Sequence, residues 1–249
     1  MILPNPKDIK HKIWLYRLLS AISDDQILPS LFYFKGGTCA AMRNLLDRFS
    51  VDLDFDFIGK NSDLEIARKK LEKIFLNLGL EIKEKSQKVP QYFLKYPAVA
   101  NERNTIKIDA TMPPPKSNKY EAVRFFEIDR IINCQTKETM FANKLVACID
   151  RFEKNKSIAG RDIYDIHYFF IEGLRYEKNV ILERRNIKNL RIFFQELSIF
   201  IKKNISQTII NQDINFLLSY EKFNQVRKIL KNETLMFIDE EIKRITKNL

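Results

Sequence analysis

The sequence predicts an α+β fold, with strands and helices mixed over residues 1–135 and a helical C-terminal domain over 136–249. Three observations predict it. SVDLDFDFIG (50–59) and TIKIDAT (105–111) alternate apolar and polar residues strictly, which is the period of a strand with two different faces. Apolar residues recur at helical spacing over 7–25 (Ile13, Trp14, Leu18, Ile22) and over 63–79. After about residue 136 helical periodicity runs to the end with almost no turn residues.

In order, the first helix ends at Ser23-Asp24-Asp25, and LFYF (31–34) reads as a buried strand halted by Gly36-Gly37. TCAAMRNLLDRF (38–49) reads as a helix opening at Thr38. Asp63 caps the helix over 63–79 and Gly79 closes it. Three strands follow over 80–112, then Pro113-Pro114-Pro115 breaks the pattern, and 121–132 reads as one further strand segment.

Composition narrows the function classes. Forty-three Lys and Arg against 32 Asp and Glu give a formal net charge of +11, a balance that favours polyanionic partners such as nucleotides or RNA. A Lys-rich surface without a nucleic-acid role has the same charge. Three cysteines without CxxC spacing argue against a disulfide framework or structural zinc. The N-terminus lacks the apolar core of a signal peptide, and no window has the apolar length of a membrane span. A soluble cytoplasmic protein is expected.

The chemistry concentrates in Ser50-Val51-Asp52-Leu53-Asp54-Phe55-Asp56-Phe57. Residues two apart in a strand share a face, so Val51, Leu53, Phe55 and Phe57 turn to the core and Asp52, Asp54 and Asp56 to the other side. Stacked carboxylates repel one another, and a divalent cation is an economical reason to tolerate them; Mg²⁺ takes one or two carboxylates and then substrate phosphates. A plain solvated acidic strand is the alternative. Asp109 lies on the polar side of 105–111, with Lys107 and Thr111. On a neighbouring strand it would complete a two-metal set, which holds ions ~4 Å apart for in-line phosphoryl displacement, and it would be the group to deprotonate an attacking hydroxyl. Lys35-Gly36-Gly37-Thr38, between strand and helix, lets backbone approach a phosphate closely; an ordinary turn with Thr38 as N-cap fits as well.

Lys35-Gly36-Gly37-Thr38 followed by Arg48-Phe49-Ser50-Val51-Asp52-Leu53-Asp54-Phe55 resembles the signature of the AbiEii/AbiGii toxin family, over roughly residues 30–170. The resemblance implies a DNA polymerase β-type nucleotidyltransferase domain, a mixed sheet flanked by helices. It implies Gly36, Gly37 and Thr38 as the nucleotide-phosphate loop and Asp52 and Asp54 as metal ligands; Asp109, read from its own strand, is expected as the third ligand, and Lys35, Arg48, Ser50 and Arg161 are further candidate nucleotide-binding residues. Asp56 extends the acidic run and leaves open which acids hold metal; Asp52 and Asp54 are favoured. The family's helical lysine falls on Lys144 and its RDxxD motif on Arg161-Asp162-Ile163-Tyr164-Asp165, which implies catalytic roles for Lys144, Asp162 and Asp165. Read by themselves, Lys144 would snorkel to solvent at the edge of the stripe Phe141, Leu145, Cys148 and Phe152. Asp162 would cap a helix, with Asp165 in its first turn, and His167 would sit at the core edge or surface.

The expected activity is transfer of a nucleotidyl group from an NTP, with Mg²⁺ or Mn²⁺, to an acceptor hydroxyl, the tRNA 3′ end or a protein. By resemblance the chain would be the toxin of a toxin–antitoxin or phage-defence pair, with a cognate antitoxin protein as partner. A catalytically inactive nucleotide- or RNA-binding module on the same fold is the competing reading.

Overall fold

The computed structural model describes residues 1–99 and 102–247. The chain divides into two compact units, Met1–Pro114 with Lys119–Thr136 and Pro115–Asn118 with Lys137–Leu249.

The first unit is built on a mixed sheet. After a 3-10 turn over Pro6–Asp8 come α1 (Ile9–Ser23), α2 (Leu28–Leu31), β1 (Phe32–Lys35), α3 (Gly36–Met42), β2 (Asp52–Phe57), α4 (Leu64–Asn77), β3 (Glu81–Lys85), β4 (Gln91–Lys95), β5 (Thr105–Thr111), β6 (Tyr120–Phe125) and β7 (Arg130–Gln135). The strands lie in the order β3-β4-β5-β2-β1-β7-β6. β2 runs antiparallel to β1 and parallel to β5, so the acidic strand sits at the middle of the sheet with a partner on each side.

Period-two patterning decides what faces what. Phe32 and Phe34 of β1, Leu53, Phe55 and Phe57 of β2, and Ile106, Ile108 and Ala110 of β5 are all buried. α1 adds Leu15, Leu18, Leu19 and Ile22 to this core, and α4 adds Ala67, Leu71 and Phe75. Full burial of one such side chain stabilises by about 1.5–3 kcal/mol, and the rings interlock edge to face, as in Phe32 against Phe57 at 5.2 Å and Phe75 against Tyr92 at 5.0 Å.

Three local readings are corrected by the structure. The helix expected over 38–49 begins at Gly36 and stops at Met42. Asn44 takes a left-handed φ of 56° and Leu45 N–H closes back on Ala40 O at 2.8 Å, a helix-ending arrangement. The single strand expected over 121–132 is the hairpin β6–β7, turned at Phe126–Asp129, where Asp129 has φ 51°. That turn holds no Gly or Pro, so nothing punctuates the run. Asp63 makes no cap bond to α4; its carboxylate accepts Lys60 N–H at 2.7 Å, one turn earlier.

The second unit comprises α5 (Lys137–Asn155), α6 (Gly160–Ile171), α7 (Lys178–Arg185), α8 (Leu190–Asn204), α9 (Gln207–Ile214), α10 (Tyr220–Val226) and α11 (Leu230–Lys247). Phe141 packs edge-on against Phe169 at 5.2 Å and Phe170 at 4.9 Å, and Phe170 stacks on Phe237 at 5.6 Å. The segment Pro115–Asn118 is held within this unit by Glu183, whose two carboxylate oxygens accept Lys116 N–H at 2.8 Å and Ser117 N–H at 2.7 Å. Among the described residues no helix is long and apolar enough to cross a membrane.

α1 is tied to the start of the acidic strand by His11. Its Nε2–H donates to Val51 O at 2.9 Å, its Nδ1 lies 2.8 Å from the Tyr96 hydroxyl, and the residue is 1% exposed. Burial pushes this imidazole down from 6.5 to about 4. Between those values the unfolded chain takes up a proton that the folded chain refuses, so stability present above pH 6.5 is lost as pH falls toward 4, on the order of 3 kcal/mol in full. Urea unfolding at pH 7.0 and 5.0 tests this: the midpoint of the wild type falls over that interval, and the fall is smaller in His11→Gln.

Candidate active site

The first unit gathers the acidic residues through strand register. Asp54 of β2 pairs with Asp109 of β5 and Asp52 with Lys107, while Lys35 of β1 pairs with Asp54 from the other side and Gln91 of β4 with Asp109. Directly paired residues share a face. One face therefore carries Lys35, Asp52, Asp54, Asp56, Lys107, Asp109 and Gln91, opposite the apolar core.

The acids differ sharply in surroundings. Asp56 is fully buried, and its donors include Lys35 Nζ at 2.7 Å on Oδ1, and Gln135 Nε2 at 2.6 Å and Tyr120 OH at 2.9 Å on Oδ2. Lys35 Nζ also donates to Thr111 Oγ1 at 2.5 Å. Asp52 and Asp54 are half-buried. Asp109 is about one-third exposed, with Oδ1 accepting Gln91 Nε2 at 3.1 Å and Oδ2 paired with Lys107 Nζ.

Gly36-Gly37 is approached closely by the protein's own side chains. Gly36 has φ +78°, and a Cβ there would collide with the Asp54 side chain. A Cβ on Gly37 would stand 2.8 Å from Arg48 Nη2 and 2.9 Å from Ser50 Oγ. The space that the two glycines leave is filled by the protein's own side chains, and the absence of a Cβ lets Asp54 lie against the backbone. Thr38 is fully buried and caps nothing; the N-cap of α3 is Lys35. The Thr38 hydroxyl meets Ser50 Oγ at 2.9 Å and donates to Asp52 O, fastening α3 to the acidic strand. Arg48 is 3% exposed and donates to Phe49 O at 2.8 Å. Arg48 and Ser50 lie against Gly37.

The second unit holds a separate charged cluster on α5 and α6. Lys144 does not snorkel outward: its Nζ stands 2.7 Å from Asp165 Oδ2 and 3.5 Å from Asp162 Oδ1. Asp162 is no helix cap, that place being Ala159, and it is 1% exposed with Arg151 Nε 3.2 Å from Oδ2. Its Oδ1 makes no hydrogen bond among the described residues and has the Lys144 ammonium as its ion-pair partner. Arg161, one residue before Asp162, is half-buried. His167 is buried at the core edge, its Nε2 2.7 Å from Glu233 Oε2.

Four residues that the sequence reading passed over belong to these sets. Tyr120 and Gln135 come from the hairpin that was read as one strand. Arg151 follows Lys144 by seven residues, two helical turns, a spacing that places both on one side of α5. Gln91 has no local signal.

The donor chemistry fits a hard divalent ion: carboxylate oxygens of Asp52, Asp54 and Asp109 share one sheet face in adjacent register. Among the described residues no three His, Cys, Asp or Glu side chains converge into a ready-made metal cluster, and Lys107 Nζ lies on Asp109.

Comparison with known proteins extends this picture. JHP933 from Helicobacter pylori superposes with a TM-score of 0.61 at 19% identity, covering 99% of this chain and 96% of its own. MenT4, a nucleotidyltransferase toxin from Mycobacterium tuberculosis, superposes with a TM-score of 0.54 at 14% identity, covering 96% and 87%. At such identities these likenesses show a shared fold. No curated protein matches the sequence. The family model described as "Nucleotidyl transferase AbiEii toxin, Type IV TA system" matches residues 17–233. With the acidic strand, the glycine pair and the mixed sheet in place, the chain belongs to the AbiEii nucleotidyltransferase toxin family.

Proposed function

We propose that the protein binds an NTP with Mg²⁺ or Mn²⁺ on the acidic face of its sheet and transfers the nucleotidyl group to an acceptor hydroxyl. The observation that carries this reading is the facing of Asp54 and Asp109 on adjacent parallel strands, with Asp54 seated against Gly36. Asp52 and Asp54, with Asp109, would hold the metal. A bound divalent ion supplies charge neutralisation and Lewis acidity at the phosphates.

The chain's own residues then have these tasks. Asp109, paired with Lys107 and Gln91, takes the proton of the attacking hydroxyl. The acceptor oxygen bonds to the α-phosphorus, the bond to the β-phosphate oxygen breaks, and pyrophosphate leaves. Lys35 and the backbone of Gly36-Gly37 receive the nucleotide phosphates, with Thr38, Arg48 and Ser50 supporting that backbone. In the second unit Lys144, Arg161, Asp162 and Asp165 are assigned to the same activity. Asp162 Oδ1, ion-paired with Lys144 but without a hydrogen bond, keeps acceptor capacity for a donor on a bound molecule.

The acceptor we favour is RNA, the tRNA 3′ end in the first instance. The charge of +11 supports a polyanionic acceptor over a protein hydroxyl. As a member of a toxin family assigned to type IV systems, the protein is expected to be opposed by a cognate antitoxin.

Incubation with each α-labelled NTP, Mg²⁺ and total tRNA should place label on the RNA. Asp54→Asn should reduce labelling by at least about 10²-fold, the loss typical of removing a group that stabilises charge in the transition state. Retained labelling in that variant would overturn the assignment, and binding without labelling in the wild type would favour the inactive module. Gly36→Ala should remain folded, lose about 1 kcal/mol or more of stability and lose activity out of proportion, because its Cβ displaces Asp54; equal activity would separate the glycine from the site. Mg²⁺ with the preferred NTP should raise the melting temperature of the wild type by mass action, and the rise should be absent in Asp54→Asn.

A further inference from the structure

The third aspartate of the acidic strand is unlike its neighbours. Asp56 is 0% exposed, both of its oxygens accept hydrogen bonds, and its donors include Lys35 on β1, Tyr120 on β6 and Gln135 on β7. A carboxylate so enclosed offers no approach to a metal or a phosphate. Its partner Lys35 is different. The Lys35 side chain is 19% exposed, it pairs in register with Asp54, and it precedes Gly36 directly. An ammonium carries three donors. Two go to Asp56 Oδ1 and Thr111 Oγ1, which fixes a long, flexible side chain in one place between β2 and β5 and leaves a donor for something else.

We propose that Asp56 is a positioning residue, whose carboxylate, locked by Gln135 and Tyr120, holds the Lys35 ammonium next to Thr111 on the acidic face to receive the triphosphate of the incoming nucleotide. Free lysines lose substantial rotamer entropy on binding an anion; an anchored one has lost it on folding, so the advantage is spent on nucleotide affinity. Asp56 thus acts through Lys35 and touches neither substrate nor reacting atoms. This rests on the nucleotidyl-transfer reading above and assigns the third acid of the run a part that the first two do not share.

The test is steady-state transfer with the full chain, Mg²⁺ and the preferred NTP as the varied substrate, in wild type, Asp56→Asn, Lys35→Met and the double variant, each first shown to melt cooperatively. The expected result is a KM for NTP raised about tenfold in both single variants, the size of one charge-assisted hydrogen bond, with kcat changed far less. The double variant should be no worse than Lys35→Met alone, since the two residues act as one unit. Should Asp56→Asn fail to fold, Gln135→Leu, which loosens the same carboxylate, should show the same split between KM and kcat. An unchanged KM in folded variants, additive losses in the double variant, or a fall in kcat that raised Mg²⁺ restores would overturn the inference, the last by making Asp56 a metal ligand. A wild type that yields no labelled product overturns the functional reading itself, which separates the two failures.

Discussion

Crowding of carboxylates along one face of a central strand is the constraint around which the first unit is organised. Asp52, Asp54 and Asp56 project from one side of β2, and β5 adds Asp109 opposite Asp54. Left uncompensated, such a row would repel itself and weaken the strand pairing that creates it. The sheet answers with lysines at flanking register positions, Lys35 from β1 and Lys107 within β5, and with amide and hydroxyl donors from β4, β6 and β7. Polar strands at the sheet's periphery thereby serve its centre. The hairpin β6–β7 contributes Tyr120 and Gln135, and β4 contributes Gln91.

The same row divides its labour by depth. Asp56 is enclosed, while Asp52, Asp54 and Asp109 keep contact with solvent. Alternation along β2 cannot express this difference, because all three β2 acids occupy equivalent positions in the pattern. Depth is set by what neighbouring elements lay over each position, and for Asp56 that cover arrives from residues 64 and 79 positions later in the chain.

Much of the fold was legible because patterning is a local property. β2 and β5 announce themselves by alternating faces, and α1 and α4 by their apolar stripes, so the sheet's central strands and covering helices were placed from the sequence. The hairpin was missed because its turn lacks the usual residues, and α3 was overrun because Asn44 carries a left-handed conformation without the glycine that normally marks one. At the site, the acids and the glycine pair were visible, while their interlocking was not. That Gly36 makes room for Asp54, that Arg48 lies buried against Gly37, and that Lys144 turns inward to Asp165 are facts of tertiary approach. A lysine on the rim of an apolar stripe reads as solvent-bound until a second helix brings a carboxylate to meet it.

The segment Pro115–Asn118 separates β5 from β6 in sequence yet belongs to the helical unit, where Glu183 receives two successive backbone N–H groups. The polypeptide accordingly passes from one unit to the other three times, and the sheet is completed only after the first of those excursions. No single cut frees an intact sheet from every tie to the helices. A fragment ending at Thr136 would strand the amides of Lys116 and Ser117 without their acceptor, and a fragment starting at Lys137 would leave the Glu183 carboxylate without its donors. Dissecting this molecule into independent halves therefore calls for redesign of that four-residue bridge as well as a choice of end point.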